Sequence, residues 1–122
     1  MIEAISAVTL ATHDMARAVA FYRRLGFHVK KGGAEADFTT FRVGTTALNL
    51  IAAPADRQWS WWGRLIIYVA DVDAVHERAL AAGLAPSFAP RDAAWGERYF
   101  HIADPDGHEL SFAAPLPESG SA

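Results

Sequence analysis

His101 and Glu109 flank the turn Asp104-Pro105-Asp106-Gly107 and are the one pair of side chains spaced for proton chemistry. A type I turn with Pro105 second and Gly107 left-handed closes Asp104 on His108, which sets His101 opposite Ser111. In that register His101 and Glu109 share a sheet face on adjacent strands, offset by one pair. Such a pair suits a general base oriented by an acid, or two ligands of a metal site. The plainer alternative is a hydrogen-bonded pocket histidine beside an exposed glutamate.

Period-two alternation adds further polar groups to the same kind of face. Ala7, Thr9, Asn49, Ile51, Arg64, Ile66, Tyr68, Glu109 and Ser111 belong to it, Tyr99 joins by hairpin register, and Thr40 and Arg42 join by repeat equivalence. Arg42 and Arg64 are suited to grip a carboxylate or phosphate in bidentate fashion, with hydroxyls from Tyr68 and Tyr99. Salt bridging to surface acids is the competing reading. A face mixing large apolar and polar groups is either solvent-facing or a ligand cup, and Tyr68, Tyr99, Ile51 and Ile66 favour the cup.

Trp59, Trp61 and Trp62 crowd one connecting segment and Trp95 lies in a later loop. They are placed to wall an aromatic ligand, with Trp62 and Trp95 the candidates, or to pack an interface. Arg91, Asp92, Glu97 and Arg98 around Trp95 read as a salt-bridged loop or, more sharply, a gate. His13, His28, His76 and His108 fall at a helix start, a strand, an exposed helix face and a turn, where capping or solvation is expected.

The elements that position these groups come from an internal repeat with a spacing of 57 residues. Leu10-Ala11-Thr12-His13-Asp14-Met15 aligns with Ile67-Tyr68-Val69-Ala70-Asp71-Val72, and Leu25-Gly26-Phe27 with Ala82-Gly83-Leu84. In each copy a strand leads to an Asp that N-caps a helix, and a Gly follows the helix end. Helix one is predicted to bury Met15, Ala18, Val19 and Tyr22; helix two, Val72, Val75, Ala79 and Leu80. Three strands follow each helix: 27–31, 37–43 and 46–52, then 87–90, 97–103 and 108–113. The chain therefore reads as α+β, βαβββ twice in one domain. Module one covers about 4–53, a connector 54–62, module two about 63–114, and a fraying tail 115–122. Val8, Leu10, Leu48, Leu50, Leu65, Ile67, Val69, Leu110 and Phe112 form the face beneath the helices.

Composition narrows the partners. The 122 residues include no cysteine, so a disulfide framework, a thiolate metal site and a cysteine nucleophile are all excluded. A net charge of -3 with interleaved signs offers no basic stripe for nucleic acid. Apolar runs are short and broken by charges, and no membrane is expected as a partner; a soluble, cytoplasmic protein is predicted. Glycine-rich phosphate loops and nucleophile elbows are absent from the sequence.

The repeat, the stretch Asp14 to Tyr22 followed by Leu25-Gly26-Phe27, the junction Val69-Ala70-Asp71-Val72-Asp73-Ala74 and the Asp-Pro-Asp-Gly turn together resemble the vicinal-oxygen-chelate superfamily of glyoxalases, bleomycin resistance proteins and extradiol dioxygenases. The resemblance spans Ile5 to Ala114. It implies two tandem βαβββ modules whose mixed sheets curl into a cup, usually in a homodimer. It also implies that Ala7, Asn49, Arg64 and Ser111 stand where metal-dependent members carry histidine or glutamate. No cofactor is expected from such a set, since a divalent ion needs three or four anionic or imidazole ligands. Arg64 would then hold an anionic group instead. The reading that follows is a metal-independent protein binding a small amphipathic molecule with an anionic or polar end. The ligand set is Arg42, Asn49, Arg64, Tyr68, Tyr99, Ser111, Trp62 and Trp95. The alternative is a lyase, isomerase or dioxygenase using His101 and Glu109, or a divalent metal held unconventionally.

Overall fold

The computed structural model describes residues 1–117. The first pass runs through β1 (Ala7–Thr12), α1 (Met15–Arg24), β2 (His28–Lys31), β3 (Phe38–Val43) and β4 (Thr46–Ala52). The second runs through β5 (Arg64–Tyr68), α2 (Val72–Ala81), β6 (Arg91–Asp92), β7 (Glu97–Ala103) and β8 (Glu109–Pro115). This is the βαβββ module twice, and the α+β class read from the repeat. Each module makes a four-stranded mixed sheet, ordered β1-β4-β3-β2 and β5-β8-β7-β6. In both, the first strand runs parallel to the last and the remaining pairs are antiparallel.

The chain divides into two compact units, residues 1–62 with 104–108, and residues 63–103 with 109 onward. In the first, the Asp14 carboxylate accepts from the backbone N–H of Arg17 and starts α1. Met15, Ala18, Val19 and Tyr22 are buried as the spacing predicts, and Phe21 joins them. The helix packs on β4, and the core beneath it is Leu10, Phe41, Leu48 and Leu50.

In the second unit Asp71 caps α2 through the N–H of Ala74. The helix covers β7 and β8, where Phe100 stacks on Phe112 with ring centres 5.5 Å apart, beside Ile102 and Leu110. Truncating a ring so enclosed costs about 3–5 kcal/mol.

Several expectations need correction. Leu80 is exposed and Val75 only half-buried, because the buried stripe of α2 runs through Val72 and Ala79, with His76 half-buried between them, and position 80 turns a further 100° away. His76 is accordingly not on an open face; its ring meets the edge of Phe100 at 5.2 Å. Strand β6 falls at Arg91–Asp92 rather than at 87–90. Pro86 and Pro90 lack the N–H a ladder needs, so that stretch makes a lone bond from Ser87 N–H to the His101 carbonyl. Strand β8 continues to Pro115 and Leu116 donates to the Gly96 carbonyl, so the predicted tail begins tied to the sheet; its residues 118–122 lie outside the described residues.

Candidate functional site

The helix-free face of each sheet collects the polar residues, and each unit presents its own. In the first unit, ladder register lays them out in rows. Ala7, Ala47, Arg42 and His28 form one row; Thr9, Asn49, Thr40 and Lys31 the next; Ala11, Ile51 and Phe38 the third. The Asn49 amide donates to Thr9 Oγ1 at 3.3 Å. The side chains of Arg42, His28 and Lys31 form no ion pair or hydrogen bond among the described residues, and no acid shares their rows. The last row ends apolar and open, with Ile51 and Phe38 exposed.

A groove of about 430 Å³ follows β1, lined by Thr9, Ala11, Arg57, Trp59, Trp62 and His108 among others. His108 builds its wall. The Trp62 indole N–H donates to His108 Nδ1 at 2.7 Å, and His108 Nε2 then carries the proton, donating to the Ala11 carbonyl at 2.8 Å. His108 is buried, contrary to the solvated turn residue predicted, because the turn directs its side chain to the face opposite Glu109. Trp59 lies between His13 and His108, stacked with both, and donates to the Asp106 carbonyl, so its role is packing.

In the second unit the rows are Arg64, Glu109 and Ala103; Ile66, Ser111 and His101; then Tyr68, Ala113, Tyr99 and Arg91. His101 lies opposite Ser111, the register read from the turn, with Gly107 at φ 86°. Glu109 bridges two neighbours, accepting from Arg64 Nε at 3.1 Å and standing 3.4 Å from His101 Nδ1. A carboxylate only accepts, so this contact selects the Nδ1–H tautomer and leaves Nε2 with a free lone pair. Burial pushes the His101 imidazole below its usual value, the Arg64 and Arg91 cations push the same way, and Glu109 offsets only part of it. His101 is thus a neutral imidazole with an oriented acceptor nitrogen.

Aromatic rings surround it. Phe88 and Tyr99 each lie within 5.2 Å of the His101 ring centre, and Arg91 stacks over Phe88 at 3.8 Å while donating to the Tyr99 hydroxyl at 3.1 Å. Arg98 binds Asp73 and Asp92, which is the salt-bridged part of the loop expected around Trp95. Arg91 and Glu97 depart from that expectation: Arg91 is held by Phe88 and Tyr99, and the Glu97 carboxylate accepts from the Tyr68 hydroxyl and, at 2.9 Å, from the Trp95 indole.

The sequence model of the glyoxalase/bleomycin resistance protein/dioxygenase superfamily matches residues 4–112. The chain belongs to this superfamily. An uncharacterized protein of Mycobacterium bovis is 48% identical over 50 residues, 41% of this chain and 33% of that one, so the chain spans about a third of that curated relative. Among solved structures, a glyoxalase/bleomycin resistance protein/dioxygenase from Nocardioides shares the fold with a TM-score of 0.74 at 22% identity, covering 100% of this chain and 89% of that one. A bleomycin-binding protein complexed with bleomycin gives 0.73 at 22% identity, over 96% and 100% of the two chains.

The resemblance implies that Ala7, Asn49, Arg64 and Ser111 stand where metal-dependent members of the superfamily hold their metal, and these side chains do not fit one. Ala7 has no donor, the Asn49 amide is turned to Thr9, Arg64 is a cation held by Glu109, and Ser111 is buried. No group of three or more His, Asp or Glu side chains suited to a metal occurs among the described residues.

Of the residues singled out in the sequence, Arg64, Glu109, His101 and Ser111 are neighbours on the second sheet, with Tyr68 and Tyr99 one row on. Arg42 and Asn49 are neighbours on the first, and Trp62 lines its groove. Sequence reasoning missed the roles of His108 and Glu97. The parity of 97, 99 and 101 does put Glu97 on the polar face, but nothing in the sequence pairs it with Tyr68, 29 positions earlier.

No helix among the described residues is long and apolar enough to cross a membrane.

Proposed function

We propose that this chain is a metal-independent binding protein for a small amphipathic molecule with an anionic end. The observation that carries the reading is the first unit's polar face, where Arg42 has no partner among the described residues and no acid competes for it. Its guanidinium is free for a bidentate bond to a carboxylate, with Asn49, Thr40 and Thr9 in the adjoining row as neutral donors. Ile51 and Phe38 supply apolar surface for the rest of the molecule, and Trp62 widens it along the β1 groove. Arg64, by contrast, is already neutralised by Glu109, so it is the weaker anion site of the two arginines. Among similar structures, the bleomycin-binding protein holding bleomycin supports a ligand-binding role for this scaffold. The superfamily resemblance adds a homodimer, to be checked by light scattering.

Thermal unfolding in the presence of naphthoate, naphthyl methanol and divalent ions tests this. Naphthoate is expected to raise the melting temperature, the alcohol much less, and Arg42→Gln to weaken the naphthoate response about tenfold through loss of a charged hydrogen bond. Stabilisation by Mn, Ni or Zn instead would overturn metal independence.

One observation favours a second reading. The neutral, oriented imidazole of His101 against Glu109 is the arrangement of a general base, which fits a lyase or isomerase that moves a proton. Turnover found by substrate screening and abolished in His101→Gln would establish it.

A further inference from the structure

We infer that Glu97, Tyr68, Trp95 and Tyr99 form a site for an organic cation on the polar face of the second sheet, separate from the anion site proposed at Arg42. Three observations converge on it.

The first is charge. Glu97 is the one carboxylate of β7 and its neighbours whose partners are both neutral, the Tyr68 hydroxyl on Oε2 and the Trp95 indole N–H on Oε1. Among the described residues no cation stands within ion-pair distance of it. The nearby arginines are engaged elsewhere: Arg98 with Asp73 and Asp92, Arg64 with Glu109, and Arg91 with Phe88 and Tyr99. A carboxylate has about four lone-pair directions, and two remain unused here.

The second is the aromatic frame. Trp95 packs against Tyr99 with ring centres 5.2 Å apart, and Trp95 and Tyr68 are 67% and 60% exposed, so their faces are open to a ligand. Cations are attracted to such faces by the ring quadrupole, and a carboxylate alongside adds direct charge attraction.

The third is an internal precedent. In the same cluster, the protein's own Arg91 guanidinium lies 3.8 Å from the Phe88 ring centre and 5.4 Å from that of Tyr99. The same aromatic cluster therefore already holds one cation at its Phe88 end, while the end that carries the carboxylate has none.

The group recognised would be an ammonium on an aromatic or alkyl body. The ammonium would take the free lone pairs of Glu97, and the body would lie across Trp95 and Tyr68. The test uses benzylammonium chloride, benzyl alcohol as its neutral counterpart, and sodium chloride as the ionic-strength control. The side-chain N–H resonance of Trp95 and tryptophan fluorescence report binding. Benzylammonium is expected to shift the Trp95 resonance saturably, and the alcohol and sodium chloride are not. Glu97→Gln removes the charge while its amide oxygen still accepts from the Trp95 indole and its NH2 donates to the Tyr68 oxygen, and it should weaken benzylammonium about tenfold. Trp95→Leu should weaken it by a similar factor with unchanged circular dichroism. Arg42→Gln should leave it unaltered, whether or not the anion site exists. Equal binding of the alcohol, retention of affinity in Glu97→Gln, or no saturable shift of Trp95 with benzylammonium would each overturn the inference.

Discussion

The Tyr22 hydroxyl donates a 2.7 Å hydrogen bond to Asp104 Oδ2, tying helix α1 to the turn segment of its own unit. The other oxygen, Oδ1, accepts the backbone N–H groups of Asp106 and His108, each at 2.9 Å. This is the physical content of the Asp that opens the Asp-Pro-Asp-Gly turn: one buried carboxylate shapes the turn and anchors it to the helix.

Asp104→Ala should therefore cost about 3 kcal/mol in denaturant unfolding, since it leaves buried donors unpaired. Asp104→Asn should cost far less, its oxygen keeping the two N–H donors and its amide turning to the Tyr22 oxygen. Burial raises the Asp104 carboxyl above its ordinary 3.8 despite those hydrogen bonds. The native state thus binds more protons than the unfolded chain between 3.8 and the raised value. Across that window the wild type should gain stability relative to Asp104→Asn as pH falls. A constant difference between the two proteins would contradict the raised value.

His101 has the opposite sign. Its folded value lies below the ordinary 6.5, so the unfolded chain binds more protons from 6.5 downward. Stability should fall as pH drops from 6.5 through the folded value and level off below it. His101→Gln should lack that part of the acid sensitivity in otherwise matched melts. Imidazole resonances followed by NMR would check the same shift directly.

His108 holds Trp62 at the groove through a single hydrogen bond to Nδ1. His108→Leu fills the space but offers the indole no acceptor. It should cost about 1–3 kcal/mol and red-shift tryptophan emission as Trp62 becomes more solvated. Trp62→Phe should abolish that spectral response while leaving His108 bonded to the Ala11 carbonyl.

Much of this architecture was legible in the residues. The 57-residue repeat carries the module, the Asp caps and trailing glycines mark both helices, and the turn chemistry sets His101 opposite Ser111. These are local rules acting within a few positions. What escaped was decided by tertiary packing. Leu80 fits an apolar spacing but falls off the buried stripe, and Pro90 displaced β6 onto two charged residues. In the candidate site, alternation placed Arg64, Glu109 and His101 on one face, but could not show that Glu109 neutralises Arg64 and leaves Arg42 unpaired. His108 looked like a solvated turn residue because its two partners, Ala11 and Trp62, are 97 and 46 positions away.

The chain Arg64, Glu109, His101 makes a paired prediction that needs no ligand. Glu109 is the attractive neighbour of the imidazolium and acts against burial; Arg64 is the larger of two repulsive neighbours, with Arg91 the second, and both act with burial. Glu109→Gln removes the attraction and leaves the Arg64 cation beside the ring, so the His101 value should fall further. Arg64→Gln removes the repulsion and frees Glu109 for the imidazole, so it should rise. The two variants differ by one neutral amide at neighbouring positions, and burial changes little between them. NMR titration of His101 in both proteins should therefore bracket the wild type from below and above. No shift in either variant would mean that burial alone sets the ring's protonation, and a fall in Arg64→Gln or a rise in Glu109→Gln would contradict the charge roles assigned to the two neighbours.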